Sequence, residues 1–194
     1  MADAMTRRSA FTRLVLEGAP DDAALVIAEC RERALLVVAG WTATVHAALG
    51  VAPPSEPGAA VATAEGAHLW TGPREWLYVV PGGDGWALER ALARALAPRA
   101  GVTDVSHGRA IVRVAGAPAR LVLAKFCPID LSPRALPTGR CAQTLFGKIN
   151  VLLHALPDSA AIDIYVGRSY ADALADALLE GAREYGARLG APVA

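Results

Sequence analysis

The sequence predicts an α+β fold in which mainly antiparallel sheets are each covered by helices on one face. Three observations carry that expectation. The longest apolar runs, residues 34–40 and 149–156, are strand-sized, the second interrupted by Asn150 and His154. Strand-like runs come in hairpin-like pairs, as on either side of Thr71-Gly72-Pro73. Helical periodicity falls between these runs at irregular intervals, which a regular β-α-β parallel sheet would not show.

Taken in order, residues 1–33 are mixed and charged, and no element is assigned to them. Residues 35–39 form a strand ended by Gly40, and residues 41–49 a short helix or irregular segment. Three prolines within residues 53–57 forbid regular structure and make a loop. Residues 68–70 and 75–80 are strands flanking a turn. Asp84 then caps a helix to Leu96 whose Leu88, Leu92 and Leu96 share one face, and Pro98 stops it. Residues 102–105 and 109–114 are strands, the second setting Ile111 and Arg113 against Val112 and Val114, so that one face is only partly apolar. Pro118 sits near the first turn of a helix that ends before Pro128. A Pro-rich loop, 127–139, leads to strands at 142–146, 148–156 and 162–166. Ser169 and Asp172 approximate a capping box for a last helix with Leu174, Leu178, Ala182 and Tyr185 on one face, ended by Gly186. The chain divides into an N-terminal half, 1–100, and a C-terminal half, 101–194, packed as one compact unit.

Composition narrows the function. The 194 residues carry zero net charge, so no basic field draws nucleic acid or anionic lipid. No apolar run approaches the roughly 18 residues of a membrane span, and the adjacent Arg7 and Arg8 precede no apolar signal region. Cys30, Cys127 and Cys141 are odd in number and widely spaced, which suits reduced structural thiols in the cytoplasm. Hydrophobic residues make up 54%, much of it alanine, against 20% charged, which fits either an Ala-rich chain or a surface covered by a partner.

Chemistry-bearing patterns are few. No Gly-rich phosphate motif is present, and none of His46, His68, His107 and His154 stands at metal-ligand spacing. Asp104, Ser106 and His107 lie within four residues, yet Ser106 lacks the strained elbow of a nucleophile, and a turn explains the residue choice. Cys127 has Lys125 nearby, which favours a thiolate, but no base pairs with it. The four tryptophans, 41, 70, 76 and 86, fall in the first half, and the basic residues are nearly all arginine. Trp and Arg are common interface anchors, so Trp70, Trp76 and Arg74 are the candidate interface residues.

Five strings in order, across about 65–185, resemble the gamma subunit family of heterotetrameric sarcosine oxidase. They are Trp70-Thr71-Gly72-Pro73-Arg74-Glu75-Trp76-Leu77, Val102-Thr103-Asp104-Val105-Ser106-His107-Gly108-Arg109-Ala110, Gly116-Ala117-Pro118-Ala119-Arg120 through Leu123, Cys127-Pro128-Ile129-Asp130-Leu131, and Arg168-Ser169-Tyr170. Leu136 stands where that family usually has phenylalanine. The second and third strings are also similar to the opening of folate-binding aminomethyltransferases, the T-protein of the glycine cleavage system. The acidic pair of those enzymes has no counterpart in residues 144–151 here.

The resemblance implies an aminomethyltransferase-like fold and a non-catalytic subunit with no cofactor of its own. It implies a complex of four subunits that oxidises sarcosine to glycine, passes the one-carbon unit to tetrahydrofolate and forms peroxide. It places FAD, FMN, NAD and tetrahydrofolate on the alpha and beta subunits and zinc on the delta subunit, with this chain packed on alpha. Two other readings stay open: an independent tetrahydrofolate-dependent aminomethyltransferase, and the equivalent subunit of a complex acting on another N-methyl amine such as N-methylglutamate.

Overall fold

Side-chain alternation along the strands decides the architecture seen in the computed structural model, which describes residues 9–14, 22–157 and 159–193. The first sheet has the order β11-β1-β7-β10-β9-β8, built from β1 (Leu25–Cys30), β7 (Arg109–Ala115), β8 (Cys141–Phe146), β9 (Ile149–Ala155), β10 (Ala161–Gly167) and β11 (Ala187–Leu189). The second has the order β3-β4-β5-β2-β6, from β2 (Arg33–Gly40), β3 (Ala60–Thr63), β4 (Gly66–Gly72), β5 (Glu75–Pro81) and β6 (Ala100–Asp104). Pairing is antiparallel except between β1 and β11.

Successive residues of a strand face opposite sides, so each sheet makes two cores. In the first sheet Val112, Val114, Leu153, Ile162 and Ile164 pack under α3 (Ala119–Ala124) and α4 (Ala171–Ala182), meeting Val122, Leu123, Leu174 and Leu178. In the second, Leu36, Val38, Trp76 and Tyr78 pack under α1 (Thr42–Leu49) and α2 (Gly85–Leu96), meeting Val45 and Leu96. The remaining faces meet each other, with Leu35, Leu69, Leu77 and Val79 against Ile111, Leu152 and Tyr165. The layers therefore run helix, sheet, sheet, helix, which is the expected α+β class.

Most predicted elements appear within a few residues of their expected ends. Asp84 caps α2, its Oδ1 accepting from the N–H groups of Trp86 and Ala87 at 3.1 and 3.3 Å. Gly186, at φ 62, ends the C-terminal helical stretch. The capping box at Ser169 is a correction: residues 168–170 form a 3-10 turn and α4 begins without a side-chain cap. Asp172 instead accepts from Thr12 Oγ1 at 2.6 Å and Arg13 N at 3.0 Å, tying an N-terminal segment to α4.

Strands β1, β3 and β11 are absent from the sequence expectation, although Leu25-Val26-Ile27-Ala28 is a strand-like apolar run. The first is paired by β7 and β11, distant in sequence, and the others are four and three residues long. Most of residues 1–21 lies outside the described residues. The sheets also exchange strands across the divide at 100: β1 joins the sheet of the second half, and β6 joins that of the first. The inter-sheet core takes residues from both sheets. Among the described residues no helix is long and apolar enough to cross a membrane.

Candidate functional site

Most of the described residues able to do acid–base or nucleophilic chemistry are committed to packing. Ser106 is buried at the β6–β7 turn, where its hydroxyl donates to Asp104 Oδ1 and accepts from Leu35 N at 2.9 Å. Ser106 N donates to the same carboxylate oxygen at 2.8 Å. The Asp104 carboxylate lies so close to Gly85, at the start of α2, that a Cβ there would come within 2.5 Å of Oδ2. Negative charge at a helix N-terminus is favourable, and Glu89 of the same helix accepts from Asp104 N at 3.2 Å. The constellation locks β2, α2 and the turn together, as the turn reading expects, and His107 is exposed beside it.

The other histidines are scattered. His46 is exposed on α1. His68 is 2% exposed and stacks on Tyr78 at 4.4 Å between ring centroids, and burial pushes its imidazole down to about 4. His154 is buried and also lowered by desolvation, which the Asp163 charge partly opposes. The three cysteines are free and buried, and desolvation pushes each thiol up to about 11. Lys125 does not activate Cys127. Its Nζ donates to Gly181 O at 2.6 Å and to the Glu184 carboxylate, and it lies 4.9 Å from the Tyr185 ring centroid.

One polar row crosses the inner face of the first sheet. Arg113, Asp163, His154 and Cys141 stand in register on β7, β10, β9 and β8. Arg113 grips Asp163 bidentately, Nε to Oδ1 at 2.6 Å and Nη2 to Oδ2 at 2.9 Å, which raises the guanidinium above its ordinary value. Tyr165, fully buried nearby, is pushed far above the ordinary phenol range by burial. A cavity of about 580 Å³ borders this row. A carboxylate held by both oxygens, a neutral imidazole and a protonated phenol supply structure rather than a proton shuttle. No group of three or more metal-ligating side chains occurs among the described residues.

The candidate interface residues separate. Trp76 is 1% exposed, and its indole N–H donates to Pro54 O at 2.7 Å, anchoring the Pro-rich loop. It belongs to the core and offers no contact surface, because a large apolar ring in mid-sheet is buried by the helices above it. Trp70 is half-buried between the inter-sheet core and that outer core. Arg74 is exposed in the β4–β5 turn at φ 64, its guanidinium 4.4 Å from the ring centroid of exposed Trp41. A second such pair, Trp86 and Arg90 at 4.6 Å, lies on α2. Sequence reasoning passed over Trp41 and Trp86 individually. For Trp86 the signal was legible, since it shares the polar face of α2 with Glu89 and Arg90, opposite Leu88 and Leu92.

The sequence strings interlock in pairs. Arg120 Nη1 donates to Leu131 O at 2.6 Å, joining the third and fourth strings, and Arg168 N donates to Gly108 O at 2.9 Å, joining the second and fifth. Gly116, at φ 116, lets β7 turn against Ala24, whose carbonyl oxygen lies 2.0 Å from where a Cβ would be. Leu136 is buried in the core beneath α3 and α4.

Comparison with known proteins agrees with this arrangement. A family model described as sarcosine oxidase, gamma subunit family, matches residues 33–183. A sarcosine oxidase subunit gamma from Arthrobacter sp. is 43% identical over 113 residues, 57% of this chain and 55% of the relative. One from Corynebacterium sp. (strain P-1) is 38% identical over 116 residues, 59% of this chain and 56% of the relative. The chain thus spans about half the length of these curated relatives. A chain of the heterotetrameric sarcosine oxidase from Corynebacterium sp. U-96, solved in complex with pyrrole 2-carboxylate, superposes with a TM-score of 0.78 at 29% identity, covering 88% of this chain and 89% of that one. Glycine cleavage system aminomethyltransferase T from Bartonella henselae superposes with a TM-score of 0.63 at 16% identity, over 88% of this chain and 48% of that one, a likeness of fold. With its strings interlocked on that fold and the family model spanning most of its length, the chain belongs to the sarcosine oxidase gamma subunit family.

Proposed function

We propose that this chain is the non-catalytic gamma subunit of a heterotetrameric sarcosine oxidase complex, in which sarcosine is oxidised to glycine, tetrahydrofolate accepts the one-carbon unit and peroxide is formed. The carrying observation is the superposition over nearly the whole chain on a chain of such a complex. The sealed side chains support the non-catalytic half of the reading, since Ser106, His68, His154 and Cys127 are all buried. FAD, FMN, NAD, tetrahydrofolate and zinc then belong to the alpha, beta and delta partners, and the complex works in the cytoplasm, where three free thiols stay reduced. The contact with alpha uses the Arg74–Trp41 corner and the exposed edge of Trp70, because stacked arginine and tryptophan make effective anchors once desolvated.

Co-expression tests this. A tagged chain made with its neighbouring reading frames elutes from size exclusion as one complex carrying flavin absorbance, while the chain purified alone carries none. A lone chain holding stoichiometric flavin, or eluting as a stable monomer with every neighbour left behind, overturns the assignment. Turnover of the assembled complex with sarcosine against N-methylglutamate decides the substrate.

A further inference from the structure

Two polar side chains of the row between the sheets are not satisfied within the fold. Tyr165 is 2% exposed and His154 5%. Among the described residues neither the phenol hydroxyl nor the imidazole has a hydrogen-bond partner, although the charges of Asp163 and Arg113 act on both. Their neighbours are satisfied: Arg113 and Asp163 hold each other, and Cys141 Sγ donates to Ala59 O at 3.3 Å. Buried polar side chains are hydrogen-bonded as a rule, so two exceptions on one surface call for a partner from outside the chain.

Both line the inter-sheet cavity of about 580 Å³, which falls within the range of about 300–1,000 Å³ for small-molecule sites. In the pairing of β10 with β9, Asp163 faces His154 and Tyr165 faces Leu152. His154 and Tyr165 are therefore diagonal neighbours on one face, about 7–8 Å apart, the span of a single small ring. Facing sheets stack about 10 Å apart, so the space between them is a slot that suits a flat molecule. Ala62, Ala67, Val79 and Leu156 give it apolar walls. Its charged residues are Arg33 and Arg113 against Glu65 and Asp163, two of each sign.

We propose that this cavity binds an uncharged cyclic amide, a flat heterocycle with a ring N–H beside a carbonyl, held by Tyr165 and His154. A wall of balanced charge offers an ion nothing to offset its lost hydration. Burial keeps the imidazole neutral and the phenol protonated. The imidazole then presents one N–H and one bare nitrogen, and the phenol one O–H. An amide brings the complementary acceptor and donor side by side. A purely apolar ring of the same size would leave both side chains unmet.

Titration of the full chain followed by the chemical shifts of its backbone amides tests the site. The probe is uracil, with benzoate and toluene as controls of the same ring size, one charged and one apolar. The expected result is saturable binding of uracil, half-saturating at least tenfold below either control. Tyr165→Phe and His154→Phe each raise that concentration about tenfold, the loss of one hydrogen bond to the ligand. Tyr170→Phe removes a hydroxyl from an exposed ring past the end of β10 and leaves binding unchanged. Because the Tyr165 hydroxyl holds nothing in the fold, Tyr165→Phe keeps the wild-type Tm or raises it. A fall of more than about 5 °C reveals a structural partner and overturns the proposal. So does uracil binding that is absent or no tighter than either control, or wild-type affinity in both cavity variants. Should a variant fail to fold, the three-probe comparison on the wild-type chain decides alone. That comparison concerns this chain only, so its failure leaves the subunit assignment standing.

Discussion

Replacing Asp163 by alanine leaves the Arg113 guanidinium on the inner face of the first sheet without the carboxylate that grips it at 2.6 and 2.9 Å. The Asp163 side chain is 2% exposed and that of Arg113 22%. Breaking a buried pair by removing one partner costs about 3–5 kcal/mol. Arg113 retains some contact with water, so we expect the lower end, about 3 kcal/mol. With a urea dependence of about 2 kcal/mol per molar, the unfolding midpoint should fall by about 1.5 M. Equilibrium urea unfolding of the full chain, followed by tryptophan fluorescence, measures this. A double variant, Arg113→Met with Asp163→Leu, removes both charges and should return to within about 2 kcal/mol of wild type, since two apolar side chains of similar volume carry no desolvation penalty. The reasoning is refuted if Asp163→Ala shifts the midpoint by less than about 0.5 M, or if the double variant is no more stable than the single one.

Asp104→Ala removes the acceptor for both Ser106 groups and should cost about 2 kcal/mol, at about 1 per bond, while the assembled complex keeps its turnover; normal heat stability with strongly reduced turnover contradicts the structural role. Gly116→Ala places a Cβ against Ala24 O and should abolish soluble expression or lower Tm sharply, whereas Gly82→Ala, at φ 65 with open space around it, should cost about 1 kcal/mol; equal effects on Tm would show that backbone approach is not the cause. His68 is held neutral, with a folded pKa near 4 against 6.5, so the unfolded chain takes up its proton first as pH falls. Its contribution is complete above pH 6.5 and is lost between there and about 4, a span of about 3 kcal/mol. His68→Phe keeps the stack on Tyr78 and should flatten the stability profile over that window, leaving the slope from His154; an unchanged profile means His68 does not titrate as burial predicts.

The sequence by itself determined the class and most of the elements, because local periodicity and local punctuation encode them. Leu88, Leu92 and Leu96 announced a covered helix face, Asp84 its start and Pro98 its end. Asp104 and Ser106 announced a turn, since short polar side chains bond their own backbone. The five strings, read as a resemblance, pointed to the family. Tertiary structure decided what depends on partners far along the chain. Strand β1 exists because β7 and β11 pair with it, and nothing in Leu25–Cys30 foretells either. Alternation showed Arg113 on a mixed face, but only the register with Asp163 turned an exposed-looking arginine into half of a buried ion pair. The same holds for the tryptophans. Identity could not tell Trp76, sealed beneath the α1–α2 layer, from Trp41, stacked against Arg74 at the surface. Burial is a property of what lies above a side chain, and that is set by the packing of layers, not by the neighbours on its own strand.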